Sequence, residues 1–136
     1  MTGRDALFEP VRRLFEEVWN QGRLELLDAI ATEELVLHAG RNAVSGRGTL
    51  RNIIGDFLTG FPDVKHRVDD LVIEGDRVVT RWRGVGHHRG SYDGIAPTGR
   101  ETDYTGITIF RIAEGRIAEA WVNAEMAELL ASLRAP

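Results

Sequence analysis

Glu125 stands four residues after Trp121, where a β-rich segment gives way to a helical pattern. A carboxyl group among aromatic side chains loses solvation, so its pKa rises and it can exchange protons with a carbon acid. The same residue also suits the first turn of a helix, where the helix dipole favours a carboxylate without any catalysis, and Asn123 could cap that helix. On these residues alone both interpretations stay open.

The spacing of the histidines argues against a metal site. His87 and His88 are adjacent and would point to opposite faces of a regular strand, so they could not bind one ion together. There is no HExxH-like or facial-triad spacing. The absence of cysteine excludes disulfides, zinc–thiolate sites, iron–sulfur clusters and a cysteine nucleophile. We therefore expect no bound metal.

The composition of the chain also limits its possible binding partners and chemistry. The chain has 136 residues and a formal net charge of −4, which gives no electrostatic reason to bind nucleic acid or an anionic membrane. No apolar run approaches the roughly 20 residues of a membrane span, and the first residues lack a basic-then-apolar signal. Lys65 is the only lysine and lies in a polar stretch, which argues against Schiff-base chemistry. We expect one cytoplasmic domain over residues 1–136.

The first half of the chain has the 3.6-residue periodicity of helices. Pro10 suits a first turn, so regular helix should begin near residue 9 or be kinked there. Helices are predicted at residues 9–19, 23–31 and 50–58, and a closing helix at 125–133. A short strand is expected at residues 34–38, followed by turns over 39–48.

The second half changes to a period of two and is rich in β-branched and aromatic residues. Strands are predicted at residues 68–73, 77–88, 102–112 and 116–123, with compact turns at 74–76 and 113–115 and a loop at 89–100. Helices followed by an antiparallel meander indicate an α+β domain. Long twisted strands facing helices can curl into a cone that encloses a pocket.

Neither face of the predicted sheet is cleanly polar. In the last strand, alternation places Ile117, Glu119, Trp121 and Asn123 on one face and Ala120 on the other. Such a sheet would be covered by helices on one side and by a second subunit on the other. We expect a homodimer across the sheet, with an interface of about 2,000 Å² or more.

Residues 86–100, Gly-His-His-Arg-Gly-Ser-Tyr-Asp-Gly-Ile-Ala-Pro-Thr-Gly-Arg, resemble the G-x-H-x-G-x-x-x-G-I-x-P-T-G-R stretch of the SnoaL-like polyketide cyclase family. The likeness extends from about residue 7 to residue 133. Its further matching segments are residues 61–63, 74–78, 109–112 and 115–121.

The resemblance implies a helix-capped cone with a deep apolar pocket, and an enzyme of secondary metabolism that needs no metal or organic cofactor. The expected reaction is aldol cyclisation, or a related proton transfer, on a polyketide-like ketone. The family's acid/base residue, usually Asp, falls on Glu125, one methylene longer. His38 ends the first strand, where many members have a histidine facing the pocket, although it could equally be an ordinary strand-end histidine.

Seven further residues are candidate substrate contacts, by their place on the long strands or in the matching motif: Trp82, His88, Tyr104, Phe110, Arg111, Trp121 and Asn123. The aromatic ones could simply pack the core. Arg111 could polarise a carbonyl, or it could pair with Glu119 on the outer face.

The same fold serves several functions, so rival hypotheses remain. An epoxide hydrolase would need two carboxylates and an arginine around a water, for which Asp69, Arg81 and Asp103 are available. A dehydratase or isomerase could use the same pocket, and so could a binding or association domain without catalytic activity.

Overall fold

A curved six-stranded sheet wraps around the helices in the computed structural model, which describes residues 3–136. The helices are α1 (Gly3–Arg13), continued by a π-helical segment (Leu14–Trp19), a 3₁₀ turn (Leu24–Leu26), α2 (Leu27–Ile30), α3 (Arg47–Gly60) and α4 (Met126–Arg134). The strands are β1 (Ala31–Ala39), β2 (Asn42–Ser45), β3 (Lys65–Glu74), β4 (Arg77–His87), β5 (Glu101–Ala113) and β6 (Arg116–Ala124). The predicted α+β class is confirmed.

The sheet has the order β2-β1-β6-β5-β4-β3, so the predicted meander forms the four strands from β3 to β6. The sheet is not wholly antiparallel, because β1 returns alongside β6 in parallel, with Leu37 opposite Ala120. Strand β2 lies within the segment predicted as turns. Its four residues are all exposed, so the strand has no apolar alternation that the sequence could show.

The first helix begins at Gly3 and continues through the buried Pro10. Of the two alternatives predicted for this segment, a start of regular helix near residue 9 is therefore wrong. Proline has no N–H to donate within a helix and crowds the preceding turn. The π-helical segment follows one turn later and contributes Phe15 and Trp19 to the interior. None of the described helices has both the length and the apolar character that crossing a membrane requires.

A β-bulge in β6 changes which side chains face inward. Ile112 pairs with Ile117, but the neighbouring Arg111 pairs with Glu119, so Ala118 is an extra residue in the ladder. Ile117 is therefore buried, whereas Glu119 faces outward. The predicted alternation, which placed these two residues on one face, is wrong at this point.

Two glycines on the concave face make room for large rings. A Cβ on Gly106 would lie 2.3 Å from Cζ2 of Trp82, and one on Gly84 would lie 2.7 Å from Cε1 of Tyr104. Any larger residue would displace these rings. The glycines thus allow Trp82 and Tyr104 to lie across neighbouring strands and form the floor of a cavity.

Candidate functional site

A cavity of about 520 Å³ lies between the concave face of the sheet and the helices. Its wall is mainly apolar, and aromatic rings come from the π-helical segment, α3, β4 and β5. The lining includes the aromatic rings of Phe15, Trp19, Phe57, Trp82, Tyr92, Tyr104 and Phe110. The site therefore suits a hydrophobic molecule with flat rings.

The polar centre of the cavity wall is a hydrogen-bonded pair, His66 on β3 and Tyr104 on β5. Nε2 of His66 lies 2.6 Å from the Tyr104 hydroxyl. Both side chains are almost fully buried, at 6% and 4% exposure. Another polar group of the wall is already occupied, because the Thr108 hydroxyl accepts a hydrogen bond from the Trp82 indole N–H at 2.9 Å.

Aromatic side chains surround the His66 imidazole and set its protonation. The ring centroids of Trp19 and Trp82 lie 4.6 Å and 5.4 Å from it. Burial among them lowers the pKa of His66 to about 4, and burial also raises the pKa of the Tyr104 hydroxyl. Both groups are consequently neutral at pH 7.

The sheet register brings these two residues together. His66 is opposite Gly84 on β4, and Gly84 is opposite Tyr104 on β5. The three positions form one row across three strands, and the middle position has no side chain. The Tyr104 ring therefore passes over Gly84 and its hydroxyl reaches the imidazole.

His66 is absent from the site predicted by the sequence, because the predicted strand begins only at Val68. The observed strand begins at Lys65, and Val64 and His66 are both buried. The alternation of Val64, His66 and Val68 is the signal that would have placed the histidine on the inner face.

Glu125 lies outside the cavity lining, at the N-terminus of α4. Its exposed carboxylate accepts hydrogen bonds from the Thr105 N–H (2.9 Å) and the Thr105 hydroxyl (2.6 Å). These hydrogen bonds lower the pKa of Glu125, so the expectation of a raised pKa is wrong. The cause is geometric, because the side chain turns towards the exposed side of β5 and away from the aromatic rings.

His38, Trp121 and Arg111 also lie on the outer face of the sheet and do not line the cavity. Leu35 and Leu37 take the inward positions of β1, which leaves His38 outside. Its ring stacks on Trp121 at 5.1 Å, and its Nε2 lies 2.6 Å from the Glu119 carboxylate. The expectation that His38 faces the pocket is therefore wrong in this structure.

Arg111 pairs with a carboxylate on the outer face, which is one of the two roles expected for it. Its Nε donates to Glu119 at 3.1 Å. Arg77 places its guanidinium 4.8 Å above the Trp121 ring, on the same face. The hydrogen bond from His38, together with that from Arg111, lowers the pKa of Glu119.

His88 is fully buried but lies outside the cavity lining. Its Nδ1 accepts from the Thr98 N–H (3.2 Å) and lies 3.0 Å from the Thr98 hydroxyl, and its ring stacks on Phe61. The motif histidine thus anchors the loop over residues 89–100 and does not line the cavity.

Trp82, Tyr104, Phe110 and Asn123 do line the cavity. Their contact with a substrate stays a prediction. The indole of Trp82 and the ring of Phe110 flank Phe15, at 6.4 Å and 6.2 Å between centroids.

The residues considered for epoxide hydrolysis do not meet in the cavity. Nη1 of Arg81 is 3.9 Å from Asp69, and its Nε is 2.5 Å from Asp70. Asp103 pairs with Arg83. None of these groups is among the cavity-lining residues, so the structure provides no site there for an activated water.

Within residues 3–136, no three histidine, aspartate or glutamate side chains gather in a way that could hold a metal ion. His87 bonds to Asp63 through its Nδ1 at 2.7 Å, and its Nε2 lies 3.7 Å from Glu101. These side chains form a polar cluster at the surface.

The family model of SnoaL-like polyketide cyclases matches residues 9–133. A proposed SnoaL-like polyketide cyclase from Jannaschia sp. CCS1 superposes with a TM-score of 0.89 at 26% identity, covering 97% of this chain and 94% of that one. IdmH, a proposed polyketide cyclase from Streptomyces antibioticus, has a TM-score of 0.80 at 28% identity, with 95% and 99% covered. TsrD from Streptomyces laurentii superposes with a TM-score of 0.85 at 27% identity, covering 100% of both chains. Among curated proteins, none matches the sequence. The match over nearly the whole chain shows that this protein belongs to the SnoaL-like polyketide cyclase family.

Proposed function

We propose that the protein is a cyclase-type enzyme that binds a hydrophobic, polyketide-like ketone in its cavity and catalyses a proton-transfer step on it, such as aldol closure. The observation on which this proposal depends is the aromatic cavity of about 520 Å³ with a neutral histidine–tyrosine pair in its wall. Family membership supports the same reaction class.

The cavity matches the physical needs of such a substrate. Its volume falls within the roughly 300–1,000 Å³ typical of small-molecule sites. Phe15, Trp19 and Trp82 offer ring faces on which a planar substrate can stack. Exclusion of water around the substrate strengthens every hydrogen bond to its oxygen atoms.

In an aldol closure a general base takes a proton from a carbon next to a carbonyl, and the resulting enolate attacks a second carbonyl. The conjugate acid of the base then protonates the new alkoxide, so no proton is gained or lost overall. A neutral cavity lowers the barrier by supplying fixed hydrogen-bond donors where negative charge develops on oxygen. Glu125 and His38, which are predicted from the sequence as catalytic, do not line the cavity, so no step is assigned to them here. Glu125 could act on a bound ketone only after its carboxylate leaves Thr105.

We further propose that the active form is a homodimer that packs two outer sheet faces together. Ile107 is 50% exposed and Val72 is 59% exposed on this face. Trp121 and the ion pair of Arg111 and Glu119 lie on the same face. A face with apolar residues and charges of both signs can pair with its own copy around a twofold axis.

To test the enzymatic proposal, the protein is incubated with a panel of aromatic poly-β-ketone esters. Products are detected by chromatography and mass spectrometry. Cyclised product is expected from the wild type. Ala120→Phe, which fills the cavity, should abolish it, whereas Ala131→Phe on the exposed side of α4 should not. If the panel yields no product, or if Ala120→Phe folds and remains fully active, the proposal is wrong.

A further inference from the structure

The His66–Tyr104 pair has one more hydrogen-bond donor than it can use internally. A neutral imidazole has one N–H and a tyrosine has one O–H, so the pair holds two donors. Their single contact, 2.6 Å between Nε2 and the hydroxyl, consumes one of them. Nδ1 of His66 is buried and has no hydrogen-bond partner among the described residues.

The imidazole can take either of two tautomers. If the tyrosine donates to Nε2, the imidazole keeps a proton on the buried Nδ1, where no acceptor lies within residues 3–136. If Nε2 carries the proton and donates to the tyrosine oxygen, the O–H of Tyr104 is free to point into the cavity. A buried donor without a partner is energetically unfavourable. Both side chains line the cavity, but Nδ1 of His66 is buried. An acceptor brought by a ligand therefore removes this cost in the second arrangement, where it meets the free O–H of Tyr104.

We propose that the Tyr104 hydroxyl donates a hydrogen bond to the carbonyl oxygen of a ketone in the cavity. In this arrangement the Tyr104 oxygen accepts a hydrogen bond from Nε2–H of His66. This inference rests on the proposed function and specifies its polar contact. Tyr104 touches the ligand, and His66 acts through Tyr104 as a positioning residue. This binding step is non-covalent. It adds one hydrogen bond, from the Tyr104 hydroxyl to the ketone oxygen, and keeps the one between His66 and Tyr104.

The surroundings favour this role over a purely structural one. The apolar rings of Phe15, Trp19 and Trp82 offer the pair no competing acceptor. The hydrogen bond should strengthen as the ketone becomes an enolate, since negative charge accumulates on the same oxygen. The high pKa of the buried Tyr104 hydroxyl keeps its proton in place.

Two matched probes separate the carbonyl contact from simple hydrophobic binding: 2-acetylnaphthalene, a ketone, and 2-ethylnaphthalene, which has no oxygen. Binding is followed by quenching of tryptophan fluorescence, because Trp19 and Trp82 line the cavity. In Tyr104→Phe the dissociation constant of the ketone should rise about tenfold, the effect of one hydrogen bond, and that of the hydrocarbon should stay unchanged. The unchanged hydrocarbon affinity also shows that the variant folds. Tyr92→Phe, which changes another tyrosine of the cavity lining in the same way, is the matched control.

The role of His66 is tested by the infrared C=O stretch of the bound ketone. The stretch should lie at lower frequency in the wild type than in Tyr104→Phe. His66→Phe should move it most of the way towards the Tyr104→Phe value, whereas His66→Gln, which keeps an N–H donor, should restore part of the shift. A merely structural histidine would not change this frequency.

The inference is wrong if Tyr104→Phe leaves both the affinity for the ketone and its C=O frequency unchanged, or if the selective loss occurs in Tyr92→Phe instead. Failure of both probes to bind the wild type would be a different result. It would overturn the proposed function and with it the inference that depends on it.

Discussion

The side chain of Asn20 pairs with the main chain of His66 in both directions, as a neighbouring strand would. Its Nδ2 donates to the His66 carbonyl (2.8 Å), and its Oδ1 accepts from the His66 N–H (2.7 Å). Strand β3 lies at the edge of the sheet, so these groups would otherwise lack a strand partner on that side. The end of the first long helix thus fixes the main chain that presents the imidazole to the cavity.

Asn20→Ala should lower the free energy of unfolding by about 2 kcal/mol, because two partly buried main-chain groups lose their partners. Gln21→Ala, at the exposed neighbouring position, should cost less than about 0.5 kcal/mol. Urea denaturation measures both. Equal effects of the two substitutions would show that the Asn20 bridge does not stabilise the fold.

His66 should make stability depend on pH on the acidic side. Its pKa in the folded protein is lowered from 6.5 to about 4 by burial. Below pH 6.5 the His66 imidazole is protonated in the unfolded chain but stays neutral in the folded protein until about pH 4. The free energy of unfolding therefore falls as the pH is lowered. At about pH 5 the loss from this group should be about 2 kcal/mol.

The measurement is urea denaturation of the wild type and of His66→Phe at pH 7 and pH 5. Other titrating groups are common to both proteins, so the difference between their two losses isolates the imidazole. The wild type should lose about 2 kcal/mol more than the variant. Parallel losses would mean that the histidine is solvated in solution.

Glu125→Gln distinguishes the observed geometry from the role that the family motif implies. In the structure the carboxylate binds Thr105 outside the cavity, and an amide oxygen can still accept from Thr105. Turnover of an authentic substrate should therefore change by less than about threefold. A loss of roughly 10²–10⁴-fold would instead identify Glu125 as the acid/base and require its side chain to swing into the cavity.

The proposed dimer predicts a mass of twice the monomer by light scattering at micromolar concentration. Ile107→Glu places a charge on the outer face and should give monomers, because burying an unpaired carboxylate is costly. Ala131→Glu, which adds the same charge on the exposed side of α4, should remain dimeric. A monomeric wild type would exclude the dimer at that concentration.

The sequence predicts the fold well and the site only in part, for identifiable reasons. Alternation along β4 places Trp82 on the same face as Val78 and Thr80, and these three residues are buried. Alternation along β5 likewise places Tyr104 on the same buried face as Phe110. A single extra residue, Ala118, reverses the alternation in β6, and no residue type marks a bulge. Proximity across strands is also invisible in the sequence, since His66 and Tyr104 are 38 positions apart.

Glu125 illustrates a different limit. The sequence places it correctly at the start of a helix, but the protonation of a carboxyl depends on what its oxygens contact. Its partner, Thr105, is 20 residues away in the chain. The direction of the pKa change could therefore be obtained only from coordinates.

The π-helical segment over Leu14–Trp19 gives the first helix a place that can absorb a change in chain length. Its wide turns accommodate one more residue per hydrogen-bonded ring than α-helical turns do. The segment therefore holds one extra residue over about the same rotation that fewer α-helical residues would give. Loss of one residue here would let the helix return to α geometry, and the parts of the helix before and after it would keep their orientation. Related chains should therefore tolerate a one-residue deletion in this segment better than one in α3, which has no wide turn to absorb it.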